Sequence, residues 1–174
     1  MNITNVEFKA RTNRVSELEE KLQTLNPRFV GEDHQIDTYF NVATGRLKLR
    51  EGNIENSLIY YERANTATAK QSDILLYRHS PDPALKAILT TTHGIKVVVD
   101  KLRRIYFIDH IKFHLDRVGE LGTFVEVEAI DETGSKSIES LQSECDHYAQ
   151  FFELAEADFV KESYSDLLLA RQPS

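Results

Sequence analysis

The sequence has little of what several common protein classes require. Its 174 residues include one cysteine, Cys145, so no internal disulfide framework exists and a reducing compartment is expected. The N-terminal MNITNVEFKAR has no apolar signal core, and no apolar run reaches membrane-spanning length; a cytoplasmic protein without a membrane partner is therefore predicted. No Cys/His cluster has zinc spacing, and neither a P-loop nor a Rossmann glycine fingerprint occurs, which disfavours structural zinc and the nucleotide folds built on those loops. Excess positive charge is also lacking: the formal net charge of −7 argues against nonspecific nucleic-acid binding, which depends on counterion release by basic surfaces. It does not argue against a small phosphorylated ligand, because the local field decides whether an anion is captured. No linker, repeat or low-complexity tract divides the chain, and its length fits one domain over residues 1–174.

Against these absences stands a repeated pattern of charges at every second position. It occurs in Asn5-x-Glu7-x-Lys9-x-Arg11, Arg46-x-Lys48-x-Arg50, Lys101-x-Arg103, His114-x-Asp116 and Glu126-x-Glu128. A strand turns alternate side chains to opposite faces, so each set lies along one face of its strand, with Val6, Phe8, Leu47, Leu49, Val125 and Val127 on the other. A closed barrel would gather the charged faces around a central cavity suited to a polyanion and a divalent metal.

Strands are predicted over residues 2–11, 29–41, 46–51, 57–64, 70–78, 96–107, 112–117 and 123–130. Val15, Leu18, Leu22 and Leu25 recur at helical spacing between Asn13 and Asn26, with Pro27 as a stop. Asp82-Pro83 opens a second helix with an acidic cap and a proline at its first position; it is expected to run to about Thr92. A long helix over 137–152 and a short one over 163–170 complete the chain. The arrangement predicts an α+β fold: an eight-stranded antiparallel β-barrel or tunnel with peripheral helices.

Two candidate groups carry the chemistry. Glu7, Asp116, Glu126 and Glu128 are carboxylates of the kind that hold hard divalent cations, which keep several waters and need only two or three acids. Lys9, Arg11, Lys48, Arg50, Arg63, Lys101 and Arg103 are donors for phosphate oxygens, arginine by bidentate forks and lysine as a mobile point charge. Read alone, either group also describes a solvated sheet face. His114 could share the face of Asp116 or be structural, Tyr60 and Tyr61 could stack a base or simply pack, and Cys145 falls on the apolar face of its helix.

The same segments, in order, resemble the CYTH superfamily of triphosphate tunnel enzymes, and within it the class IV adenylyl cyclase branch. Asn5-Val6-Glu7-Phe8-Lys9 is similar to the Glu-x-Glu-x-Lys signature apart from its first acid. Gln35–Phe40, Arg46–Glu51, Tyr60–Arg63, Asp100–Phe107, Leu115–Val118 and Leu121–Glu128 resemble the strands that follow, and Ser163–Leu168 a C-terminal segment of the cyclase branch. The resemblance implies a triphosphate-binding tunnel requiring Mg²⁺ or Mn²⁺. In it Lys9, Lys48, Arg50, Arg63, Lys101 and Arg103 would hold phosphates, and Glu7, Glu126 and Glu128 would bind metal. Asp116 would help hold a metal or orient a base. It further implies conversion of ATP to cyclic AMP and pyrophosphate, with a homodimer compatible. Release of phosphate from thiamine triphosphate, tripolyphosphate or a nucleotide is the alternative, and binding of organic polyphosphates without turnover a third reading. Asn5 is the departure, since an amide oxygen can coordinate a metal but brings no charge. No residue stands out as a general base.

Overall fold

A computed structural model describes residues 2–62 and 70–173, and the elements below are those of the described residues. In chain order they are β1 (Asn2–Arg11), α1 (Val15–Gln23), β2 (Arg28–Phe40), β3 (Arg46–Glu51), β4 (Asn56–Glu62), β5 (Lys70–Arg78) and α2 (Pro83–His93). Then follow β6 (Ile95–Ile108), β7 (Ile111–Val118), β8 (Gly122–Asp131), α3 (Ile138–Phe151), a 3₁₀ turn (Glu156–Asp158) and α4 (Tyr164–Arg171). The eight strands form a closed antiparallel barrel in the order β1-β5-β4-β3-β2-β6-β7-β8, with β8 returning to β1. This is the predicted architecture, and closure leaves no free sheet edge.

The alternation seen in the sequence sets the layers. Val6, Phe8 and Ala10 of β1 and Val125, Val127 and Ala129 of β8 point outward, where Val15, Leu18 and Leu22 of α1 and Leu141 and Cys145 of α3 cover them. Each such leucine, fully buried, contributes roughly 1.5–3 kcal/mol. Leu85 and Leu89 of α2 pack on Phe40 and Leu49 in the same way. Tyr164 and Leu168 of α4 pack with Tyr39, Val97, Val99 and Phe124 and cover one end of the barrel. The apolar core therefore lies mostly between barrel and helices, which leaves the interior free for charge.

Helix starts follow their local chemistry. The Ala84 amide donates to the Asp82 carboxylate at 2.9 Å ahead of Pro83, and the Ser140 and Asp166 amides donate to the hydroxyls of Ser137 and Ser163. The first helix is shorter than its periodicity predicts. After Gln23 the amides of Thr24, Leu25 and Asn26 turn to carbonyls three residues back, and Asn26 takes a φ of +53° before Pro27, leaving Leu25 exposed. None of the described helices is long and apolar enough to cross a membrane.

Candidate functional site

The barrel encloses a cavity of about 480 Å³. Six buried or half-buried cationic side chains on four strands line it: Lys9 of β1, Lys48 and Arg50 of β3, Lys101 and Arg103 of β6, and Lys112 of β7; the exposed Arg78 of β5 lines it too. Glu7, Asp37, Glu55, Glu126 and Glu128 line it as well. Lys9, Lys48, Arg50, Lys101, Arg103, Glu7, Glu126 and Glu128 are thus brought together, as their alternation requires. Arg63 lies outside the described residues.

Two predicted residues are placed elsewhere. Arg11 is exposed at the end of β1, off the cavity wall, donating to the Leu121 carbonyl with its guanidinium 4.6 Å above the Phe124 ring. The strand reaches the barrel's rim there, so the shared face no longer leads inward. Asp116 is fully buried behind Arg103 rather than on the cavity wall. It accepts from Arg103 Nε at 2.7 Å, from Arg103 Nη2 at 2.6 Å and from the Tyr164 hydroxyl at 2.7 Å. With its oxygens so engaged, Asp116 orients a cation and is not presented to a metal.

Asp37 performs the same service on the other side. It accepts from Arg50 Nε and Nη2, both at 2.8 Å, and from Lys101 Nζ at 2.7 Å, with Lys48 Nζ at 3.8 Å. Burial works against its charge, but Arg50, Lys101 and Lys48 hold its carboxyl well below the usual range. Lys101, 2% exposed, is pushed down to about 7 by burial and by Arg50, Arg103 and Lys48, with Asp37 opposing. Glu55 is set by the turn before it. Asp33 accepts from the amides of Ile54 and Glu55 at 2.9 Å each, and Gln35 bridges Asp33 at 2.8 Å and Glu55 at 2.9 Å. A Cβ on Gly52 would stand 2.6 Å from the Asp33 carboxylate, so the turn requires glycine there. Glu55 in turn meets Lys112 at 2.6 Å and Arg50 at 3.5 Å.

The acids on β8 face a histidine. His114 Nδ1 lies 3.4 Å from Glu126 Oε2 and 3.8 Å from Glu128 Oε1, and one donor atom from each of the three residues falls within 4.8 Å of the others. Two ligands about 2.1 Å from one ion lie at most about 4.2 Å apart. The set therefore fits a divalent cation with small side-chain adjustment. Glu7 faces Glu128 in register on the same wall, outside that close group. Burial pushes the Glu128 carboxyl up to about 7, with Glu7 adding to the effect. Burial also opposes charge on Glu126, but Arg103 and Lys9 keep its carboxyl well below the usual range. Burial and Arg103 lower His114 to about 4, so the imidazole is neutral at pH 7.

Asp37, Glu55, Lys112 and Tyr164 also line the cavity, although the charge alternation does not single them out. Lys112 carried a signal, since Lys112-x-His114-x-Asp116 extends an alternating segment by one step. Asp37 shares its strand face with Gln35 and Tyr39, a polar alternation without a charge run. Glu55 sits in a turn, where no periodicity marks it. Cys145 is core, its thiol donating to the Val6 carbonyl at 3.2 Å.

A charged cavity inside a closed antiparallel barrel defines a tunnel protein. The CYTH domain model matches residues 4–160, and the chain belongs to that family. A Pyrococcus horikoshii OT3 protein of known structure is 24% identical, with a TM-score of 0.78 over 94% of this chain and 98% of its own. A candidate adenylate cyclase from Vibrio parahaemolyticus is 19% identical, with a TM-score of 0.77 over 95% and 97%. A candidate adenylyl cyclase from Hippeastrum, described as having a dominant triphosphatase activity, is 12% identical, with a TM-score of 0.66 over 100% and 98%. These likenesses establish a shared fold. No curated protein matches the sequence.

Proposed function

We propose that this chain is a divalent-metal-dependent enzyme that converts ATP to cyclic AMP and pyrophosphate inside the barrel. The observation that carries the reading is the joining, in one cavity of a CYTH barrel, of six cations with Glu126 and Glu128, whose carboxylates form a donor set with the buried His114 behind the wall. Membership of a family of triphosphate tunnel proteins supports it, as does the fold shared with a candidate adenylate cyclase.

Lys9, Lys48, Arg50, Lys101, Arg103 and Lys112 hold the phosphate chain. Asp37 keeps three of these cations in place before substrate arrives, and Asp116 with Tyr164 fixes the plane of the Arg103 guanidinium. Such preorganised donors stabilise charge without rearranging as it develops. Glu126 and Glu128, with Glu7 and His114 beside them, would hold Mg²⁺ or Mn²⁺. The ion would neutralise phosphate oxygens and make the 3′-hydroxyl more acidic. The 3′-hydroxyl gives its proton to solvent, its oxygen bonds to the α-phosphorus as the bond from that phosphorus to the bridging oxygen breaks, and the cations take up the charge on the departing pyrophosphate. Hydrolysis uses the same residues with water as nucleophile.

Glu126→Gln and Glu128→Gln test the assignment. Each is expected to lower metal-dependent turnover by about 100-fold or more, while calorimetry in metal-free buffer shows tripolyphosphate binding retained. Full metal-dependent activity in both variants would refute the metal assignment.

A further inference from the structure

Along the inward face of β1 the chemistry changes in steps, from Lys9 through Glu7 and Asn5 to Ile3, all four lining the cavity. The paired strands repeat the order. Glu126, Glu128 and Ile130 of β8 stand opposite Lys9, Glu7 and Asn5, while Ser72 and Ile74 of β5 stand opposite Asn5 and Ile3. Between the charged and apolar zones lies one neutral polar step, formed by Asn5 and Ser72.

Asn5 and Ser72 are each only 3% exposed, yet Asn5 Oδ1 and Ser72 Oγ have no hydrogen-bond partner among the described residues. Buried polar atoms are almost always satisfied, so two unsatisfied ones directly opposite each other on a cavity wall mark a place where a ligand supplies the partner. An amide and a hydroxyl offer donors and acceptors without charge, a match for hydroxyls rather than phosphates. A nucleoside triphosphate runs from phosphates through a sugar to a base, and consecutive inward residues on a strand stand about 7 Å apart. The wall follows that order: cations and acids, then the neutral polar pair, then isoleucines, beyond which Arg78 and Glu132 pair with each other at 3.8 Å.

We propose that Asn5 and Ser72 form the ribose subsite and read the 2′- and 3′-hydroxyls, so that the cavity selects a ribonucleoside triphosphate over a bare polyphosphate. This rests on the reading of the cavity as a triphosphate site. Asn5 then serves recognition at a position where a carboxylate would add charge.

The test is calorimetric binding in chelator-treated buffer, where turnover is suppressed, using ATP, 2′,3′-dideoxy-ATP and tripolyphosphate. Wild-type protein is expected to bind ATP about ten-fold more tightly than the dideoxy analogue. Ser72→Ala and Asn5→Leu should each erase most of that difference and leave tripolyphosphate affinity within about two-fold of wild type. Equal wild-type affinity for the two nucleotides would overturn the proposal without any variant, as would variants that weaken tripolyphosphate as much as ATP. Tight tripolyphosphate binding with no preference for ATP would refute the ribose subsite but spare the triphosphate site. Binding of none of the three ligands would remove both.

Discussion

Asp37 and Arg50 face each other across the β2–β3 pairing and are joined by two hydrogen bonds of 2.8 Å. Lys101 reaches the same carboxylate from β6 on the other side of β2. Six cations in one cavity would repel one another in the free protein. A buried anion shared among three of them lets the barrel close before any polyanion is present.

Removing that anion should therefore be costly, and ligand should compensate. Asp37→Asn is expected to lose about 3–5 kcal/mol of stability, the cost of stranding a buried charge. Urea titration with and without tripolyphosphate checks it. The variant should gain more stability from the ligand than wild type does, and unchanged stability without ligand would contradict the role.

Lys101 sets a pH dependence whose sign follows from its displaced proton affinity. The folded protein gives up the Lys101 proton near pH 7, against an ordinary value of 10.5. Between those values the unfolded chain binds more protons, so this residue makes stability rise with pH across that window. A bound polyanion favours the charged lysine. Tripolyphosphate binding at pH 8 should then take up a proton, and affinity should fall as pH rises above about 7. Calorimetry in buffers of unlike ionisation enthalpy reads the uptake directly. Lys101→Arg, permanently charged, should reduce it.

Tyr164→Phe removes the hydroxyl that donates to Asp116 at 2.7 Å and leaves that carboxylate to Arg103 alone. The loss of one buried hydrogen bond to a charged group predicts destabilisation of about 1.5–3 kcal/mol, measured by chemical denaturation.

Cys145 supplies a test of the layer outside the barrel. Burial pushes its thiol up to about 12, and it lies on the face of α3 that packs against β1 and β8. Native protein should resist iodoacetamide at pH 8, and protein in denaturant should react within minutes. Rapid labelling of the native chain would show that α3 does not pack as described.

The fold was legible because strand periodicity carries it. Charges at alternate positions with Val6, Phe8, Val125 and Val127 between them identify strands whose polar faces turn inward and whose apolar faces lie under helices. That residues on those runs, from Lys9 to Glu128, would face a common cavity was legible for the same reason. Periodicity could not say where a strand leaves the barrel, which is why Arg11 shares a face with Lys9 but not its cavity. Nor could it distinguish a carboxylate facing the cavity from one spent on a neighbour, as Asp116 is on Arg103. Asp37 and Glu55 act through cross-strand and turn contacts between residues distant in sequence, which pairing register reveals and spacing does not. Leu25 fitted the helical period, but the turn before Pro27 ended the helix first.

Incubation of the purified protein with ATP and Mg²⁺ or Mn²⁺, with products resolved by chromatography, separates cyclisation from hydrolysis and from binding without turnover. Cyclic AMP and pyrophosphate are expected in equal amounts, dependent on the metal. Orthophosphate without cyclic nucleotide, or ATP binding with no product at any metal concentration, would contradict the proposed cyclisation.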